Sequence, residues 1–281
     1  MLIGNSAKLK FCGYERCMKF KKAIVTGGTS GIGLAICEEL LSAGTEVYSV
    51  SRNPEKIKPR ENFHLLKLDL SDLKAVSSFG SKFLKRYGTP DLLVNNAGFG
   101  AFYEWKEFPN EEIERQINVL VSAPILLCKF FAPGMEQQGK GIIINISSLA
   151  TLYPLPYMPL YNASKSALSS FTQSMMLEYS ESLRWIDFRM GDIRTGFNET
   201  APKQKEKSQS QSMNRAWLQI EKQLNESPSA KVAARQIYQS IKKNKSGTIF
   251  GGGFFQAKLA PLFYRILPFS VLIKVLKIRY K

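Results

Sequence analysis

The sequence predicts a single α/β domain, and three observations carry that expectation. Residues Lys22 to Thr26 form a short apolar run that leads into TGGTSGIG (Thr26 to Gly33) and then the amphipathic stretch LAICEELLSAG, which gives a strand, a glycine turn and a helix in succession. Ile142 to Ile146 is a second apolar run; it closes on Ser147 and Ser148 and is followed, across a Pro-broken loop, by a helix opening near Tyr161. Hydrophobic residues make up 44% of 281, with no shift in composition up to about residue 250, enough for one large core.

In chain order, MLIGNSAKLKFCGYERC lacks the apolar run and small-residue cleavage site of a signal peptide, and Met18 stands directly before KFKKAIVTGG. Residues 1–19 therefore read as an extension, with translation starting at Met18 or with a loose tail, and the domain is expected over 20–253. After the first strand, Gly27 permits a tight turn, Gly31 lets the backbone approach phosphates, and Gly33 allows close packing of helix on strand. The N–H groups at the start of such a helix can hold a pyrophosphate.

The second strand, Glu46 to Ser51, ends in Ser51-Arg52-Asn53, where a carboxylate would bind the ribose hydroxyls of NAD. A guanidinium instead neutralises a 2′-phosphate and stacks on adenine, so NADP(H) is expected in preference to NAD(H). The third strand, His64 to Leu70, places Asp69 to meet the adenine amino group. Leu73 to Tyr87 is helical, and Asp91 to Val94 is a strand ending in NNAG (Asn95 to Gly98), which serves as turn chemistry, braces the sheet or clears the way for a cofactor. Pro109 starts a long helix in which Asn118 interrupts an apolar stripe. A buried amide needs partners, so Asn118 either pins a kink or holds a water beside Lys165.

Tyr161 and Lys165 are four residues apart on one helix face, which sets an ammonium beside a phenol. A cation there is expected to draw the phenol below its ordinary ~10, toward the range where it serves as an acid. Ser148 would donate to the same substrate oxygen and help stabilise the alkoxide formed when a hydride meets a carbonyl. Beyond a sixth strand, a loop carries Thr195. The polar segment Asn198 to Asn225, with KQKEKSQSQS, reads as a mobile lid; Pro228 to Lys243 reads as a helix and Gly247 to Gly252 as a last strand.

The tail, residues 254–281, is apolar and basic, and Lys258, Pro261, Arg265, Pro268 and Lys274 break it before it reaches the ~18 uncharged residues a bilayer span requires. It suits a helix in a membrane interface, an arm over the substrate cleft, or a contact with a partner subunit. Charge follows the same division. Of the net +16, residues 1–22 carry +5, 194–245 carry +7, 254–281 carry +6, and the body between is −2. No basic module with interleaved aromatics points to nucleic acid. Four cysteines without metal or CxxC spacing suit a reducing compartment, the cytoplasm, with the protein free or peripheral on a membrane. The single His64 rules out an HExxH zinc site and reads as structural, and no metal is expected.

TGGTSGIG, NNAG, Asn118, Ser148 and YNASK, in this order and spacing over residues 20–252, resemble the short-chain dehydrogenase/reductase family. The resemblance implies a Rossmann-type doubly wound parallel sheet of about seven strands and a catalytic set of Asn118, Ser148, Tyr161 and Lys165. Tyr161 would be the acid in reduction, Ser148 would orient the carbonyl, Lys165 would also bind the nicotinamide ribose, and Asn118 would support a relay water. Cofactor contacts are implied at Gly27, Thr29, Ser30, Gly31, Ile32, Gly33, Arg52, Asp69, Leu70, Asn95, Ala97, Gly98, Tyr161, Lys165 and Thr195. Two departures stand out: Met190-Gly191 replaces the family's Pro-Gly, and Ser30 stands where many NADP-using relatives carry a cation.

The implied protein is an NADP(H)-dependent oxidoreductase that interconverts a carbonyl and a hydroxyl. The aromatic stretches Phe99 to Trp105 and Tyr153 to Tyr161 suit a lipid, acyl or steroid-like substrate. The alternative is a non-catalytic NADP(H)-binding scaffold or sensor with a membrane-surface tail. The family also implies a homo-oligomer built on the helices at about Pro109 to Phe131 and Tyr161 to Ser182.

Overall fold

Apolar β-branched runs bounded by glycine and polar turns build the sheet of this protein, whose computed structural model describes residues 20–197, 201–243 and 245–280. The expected extension 1–19, with Cys12, Cys17 and Met18, and the Asn198 end of the expected lid lie outside these residues. Seven parallel strands run in the order β3-β2-β1-β4-β5-β6-β7. They are β1 (Lys22–Thr26), β2 (Glu46–Ser51), β3 (Phe63–Lys67), β4 (Leu92–Asn95), β5 (Gly141–Ser148), β6 (Leu183–Met190) and β7 (Gly247–Gly251). This is the doubly wound Rossmann sheet that the sequence motifs imply.

Alternate residues of each strand face opposite layers. Ala23, Val25, Ile142 and Ile144 pack under helices α1 (Gly31–Ser42) and α7 (Ala230–Lys242). Ile24 and Ile143 face the other layer, formed by α2 (Leu73–Tyr87), α4 (Ala123–Gln137) and α5 (Pro159–Glu178). Because both faces are covered, β1 and most of β4 and β5 read as near-continuous apolar runs rather than alternating ones. Helix ends follow local chemistry: Asp72 caps α2 by accepting from the Ala75 N–H at 2.9 Å, and Gly88 and Gly44, both at positive φ, follow α2 and α1.

The long helix expected from Pro109 is continuous but not uniform. Helix α3 (Asn110–Ile117) passes through a π turn at Asn118–Ser122 into α4. Asn110–Gln137 is long and apolar enough to cross a membrane, yet its Leu120, Leu127, Phe131 and Met135 are buried in the domain. His64 stacks on Tyr48 with centroids 4.5 Å apart and lies 2.8 Å from Glu46 Oε1, a packing role.

Two expectations need correction. The third strand stops at Lys67, so Leu68 to Leu70 leave the sheet and Asp69 sits on a loop. The segment read as a mobile lid contains a regular helix, α6 (Gln211–Asn225), whose Met213, Ala216, Trp217 and Ile220 pack with Phe102 and Met158 in a separate small core. Beyond β7 the chain turns through a π turn (Phe255–Leu259) into α8 (Ala260–Ile266) and, after Pro268, α9 (Phe269–Tyr280).

Candidate active site

In a sheet of this order the strand direction of travel reverses between β1 and β4, and the crevice outside the carboxyl ends at that point is where ligands bind. A cavity of about 870 Å³ lies there, bounded by the glycine turn, the ends of β2, β3, β5 and β6, the start of α5, and residues of α6 and α9.

At one end the backbone is laid bare. Gly27 and Gly31 have φ of 69° and 52°, and a Cβ on Gly33 would fall 2.2 Å from the Gly27 carbonyl oxygen, so no side chain is tolerated between strand and helix. Thr29, Ser30, Gly31, Ile32 and Gly33 line the cavity as α1 begins, and Ser30 makes no side-chain cap. Uncapped N–H groups on a cradle that a Cβ would fill fit a diphosphate.

Arg52 lies on the cavity wall after β2, joined by Asn53 and Lys56. The Asp69 carboxylate accepts from the Ser71 N–H at 2.9 Å and the Ser71 hydroxyl at 2.7 Å. Burial works against its charge, but those two bonds, with Arg52 and Arg115 nearby, hold its carboxyl below the usual range. Leu70, Ala97 and Gly98 line the same wall.

Asn95 does not join them. It is buried inside the sheet, where its Nδ2 donates to Asn145 Oδ1 at 2.8 Å, and Asn145 donates to Thr172 at 2.8 Å. Its neighbour Asn96, which sequence reading passed over, reaches the cavity and donates to the Thr26 carbonyl at 2.9 Å.

The reaction end is built by β5 and α5. Ser148 ends β5, accepts from the Ala150 N–H at 3.1 Å and lies beside Tyr161, near enough to favour its ionised form. Tyr161 stands in the first turn of α5, which Pro159 opens, and Lys165 lies one turn later, buried. Its Nζ donates to the Ile146 carbonyl at 2.6 Å and stands 5.9 Å from the centre of the Tyr161 ring.

The expectation that this ammonium draws down the phenol does not hold in this geometry. Burial pushes the Tyr161 pKa up, the Ser148 hydrogen bond opposes that, and the charge of Asp192 adds to it. The reason is orientation: Lys165 directs its N–H toward a strand carbonyl rather than the phenol oxygen. Lys165 itself is pushed down to about 8, burial outweighing the attraction of Asp187.

Asp187 anchors the floor beneath these groups. Fully buried on β6, it accepts from Ser147, from Ser169 at 2.7 Å and from Arg189 Nε at 2.9 Å. Removing it leaves Arg189 and two hydroxyls without their acceptor, so Asp187→Ala is expected to cost about 3–5 kcal/mol, read from urea denaturation. A loss under ~1 kcal/mol would show that the network carries little of the stability.

Asn118 stands apart from this cluster. It opens the π turn, and its Nδ2 donates to the Ser71 carbonyl at 3.1 Å, while the next residue, Val119, lines the cavity. This contact tethers the start of the π turn to the segment before α2. Thr195 crosses onto the glycine turn, where a Cβ on Gly31 would lie 3.6 Å from Thr195 Cβ. With Met190 in place of proline, the loop before it is held by Gly191 N–H to the Gly251 carbonyl at 3.0 Å and Arg194 N–H to the Pro228 carbonyl at 2.9 Å.

The far wall is formed by the tail, one of whose expected places was an arm over the substrate cleft, although the sequence singled out none of the residues involved. Asp192 binds both ends of the Gln256 amide, at 2.9 and 2.6 Å, and Tyr153 donates to the Ala260 carbonyl at 2.5 Å. Residues of α9 complete that side: Leu272, Val275, Leu276, Arg279 and Tyr280.

Fold and site together define a Rossmann-type α/β protein with a nucleotide-shaped crevice. The chain belongs to the short chain dehydrogenase family, whose sequence model matches residues 21–206. Among its relatives, an uncharacterized oxidoreductase of Schizosaccharomyces pombe is 36% identical over 57% of this chain and 55% of its own length. The 3-ketodihydrosphingosine reductase of Bacteroides thetaiotaomicron is 31% identical over 63% of this chain and 65% of its length. The very-long-chain 3-oxoacyl-CoA reductase of Anas platyrhynchos is 32% identical over 56% and 54%. These matches span just over half to about two thirds of the relatives' lengths. In structure, a short-chain dehydrogenase from Streptomyces avermitilis superposes with a TM-score of 0.78 at 23% identity, over 92% of this chain and 96% of that one. A metagenomic short-chain oxidoreductase in complex with NADP gives a TM-score of 0.57 at 35% identity, over 61% and 81%.

Proposed function

We propose that this protein is an NADP(H)-dependent oxidoreductase that interconverts a carbonyl and a hydroxyl on a hydrophobic substrate. The observation that carries the reading is the gathering of Ser148, Tyr161 and buried Lys165 in the cavity that also takes in the glycine turn and Arg52. Bound along that cavity, a nicotinamide dinucleotide would supply or accept the hydride. The chain's own groups do the rest: Gly27 to Gly33 and Thr195 hold the diphosphate end, Arg52 the 2′-phosphate, and Asp69 the adenine. Ser148 orients the carbonyl and Tyr161 hands its proton to the forming alkoxide.

Relatives named as reductases of a ketodihydrosphingosine and of very-long-chain 3-oxoacyl-CoA favour a lipid-like ketone. So does the far wall, where Leu155, Met158, Phe263, Leu267 and Leu276 surround the approach to Tyr161. In this reading 20–253 is the catalytic domain, 254–281 an appended element at a membrane surface, and the protein a homo-oligomer through its long helices. NADPH oxidation with ketones from short to long chain tests it, and no turnover with any of them would favour the non-catalytic scaffold.

The reading also sets a pH dependence. The Lys165 ammonium is lost as pH rises through about 8, so reduction is expected to decline there, and a profile flat through that range would separate Lys165 from the chemistry. The sign for stability is opposite. The folded pKa lies below the ordinary 10.5, so the cost of burying the ammonium is full below about 8 and disappears as pH climbs toward 10.5.

A further inference from the structure

Residues 254–280 present two apolar faces, and only one of them has a partner within the protein. On α9, Leu272, Val275, Leu276, Arg279 and Tyr280 recur at helical spacing and line the cavity; from α8, Phe263 does the same. The other side leaves large apolar groups in the open: Phe254 is 75% exposed, Ile266 67%, Phe269 65% and Ile278 77%. Exposure on this scale marks a contact surface rather than ordinary surface composition.

Charge identifies the occupant. Lys258, Arg265, Lys274 and Lys277 lie along the same stretch of chain, and no Asp or Glu occurs from 254 to 281. A second copy docked two-fold on this face would set cations against cations. An anionic lipid leaflet complements it, taking the apolar groups into the acyl boundary and the cations among the headgroups. With 7 and 12 residues, α8 and α9 are too short to cross the bilayer, so they lie in its interface.

We propose that α8 and α9 seat the protein on an anionic bilayer surface, so that the cavity whose wall they form takes its substrate from the leaflet. The substrate route rests on the hydrophobic-ketone reading; the seating stands without it. An apolar ketone then passes from the acyl region to Tyr161 between residues of the same two helices.

The test is flotation of the full chain with phosphatidylcholine vesicles, with and without phosphatidylserine, at low and high salt. The chain is expected to float with anionic vesicles, less so with neutral ones, and less at high salt. The variant Phe254→Ser, Ile266→Ser, Phe269→Ser, Ile278→Ser changes only residues that point away from the cavity. It is expected to lose flotation by about tenfold or more, to keep turnover of a short water-soluble ketone, and to lose turnover of a long-chain ketone dissolved in vesicles. A second variant, Lys274→Glu with Lys277→Glu, retains the apolar groups and is expected to lose the preference for phosphatidylserine.

Wild-type protein that stays unbound with both vesicle types would overturn the seating, as would a fourfold variant that floats like wild type. So would a smaller assembly formed by that variant without vesicles, since the face would then belong to a second copy. Equal loss of both ketone activities in the folded variant would overturn the route. Flotation without turnover of any ketone by the wild type would remove the reductase reading and leave the seating intact.

Discussion

Replacing Tyr161 by Phe is expected to lower ketone reduction by between about a hundredfold and ten-thousandfold, the range for loss of a positioned general acid. The ring stays: Tyr161 meets Phe197 edge-on at 6.0 Å, a contact that Phe reproduces, so the fold and the cavity wall persist. What disappears is the hydroxyl beside Ser148. Ser148 can still donate a hydrogen bond to a carbonyl oxygen, but the phenol proton is no longer there to transfer. NADPH affinity, followed by its fluorescence, is expected to change little, because the glycine turn and Arg52 are untouched. Turnover within a few-fold of wild type would take Tyr161 out of the chemistry and favour the scaffold reading. Burial raises its pKa, which keeps the phenol protonated through neutral pH and makes it a weaker acid than a close Lys165 ammonium would.

Local punctuation decided which elements the sequence could reveal. β1, β2 and α2 run between the expected residues because glycine, Asp72 and Gly88 mark their ends and their apolar patterns are unbroken. Helix α6 was hidden by the polar run before it, although Met213, Trp217 and Ile220 repeat at helical spacing; the low-complexity stretch simply ends sooner than composition suggests. Side-chain direction was less legible still. NNAG located the end of β4, but only the register with β5 shows that Asn95 turns inward to Asn145 while Asn96 meets the cavity. The four-residue spacing of Tyr161 and Lys165 put them on one face without saying that the amine would bind Ile146. Such choices depend on long-range neighbours, which a local pattern does not contain.

The tail was legible as chemistry and not as geometry. Its alternation of cations and apolar residues admitted a membrane, a cleft or a partner, and folding satisfies two of these at once in the reading proposed above. One face of α9 closes the cavity with Leu272 and Tyr280, and the other is left for a lipid surface. Asp192 ties the loop after β6 to the start of the tail through Gln256.

Arg52→Asp is expected to invert cofactor preference, changing the NADPH-to-NADH ratio of kcat/KM by on the order of a hundredfold or more. Two effects add. The guanidinium contact to a 2′-phosphate is a charge-assisted bond of ~1.5–3 kcal/mol, and a carboxylate in its place repels that phosphate while accepting from the two ribose hydroxyls of NADH. Each ~1.4 kcal/mol is a factor of ten. In the reading proposed above, Arg52 carries most of this discrimination, since Ser30 contributes no charge on the opposite side. Lys56 shares the wall and keeps some attraction for the phosphate, so adding Lys56→Glu is expected to move the ratio further in the same direction. Asp69 supplies an internal limit: it faces Arg52 electrostatically, and a second carboxylate beside it raises the cost of holding both charged, which lowers affinity for either cofactor somewhat. Initial rates with both nucleotides on one ketone decide the matter. An unchanged ratio would mean that Arg52 is only a surface cation and that the preference, if any, is set elsewhere in the crevice.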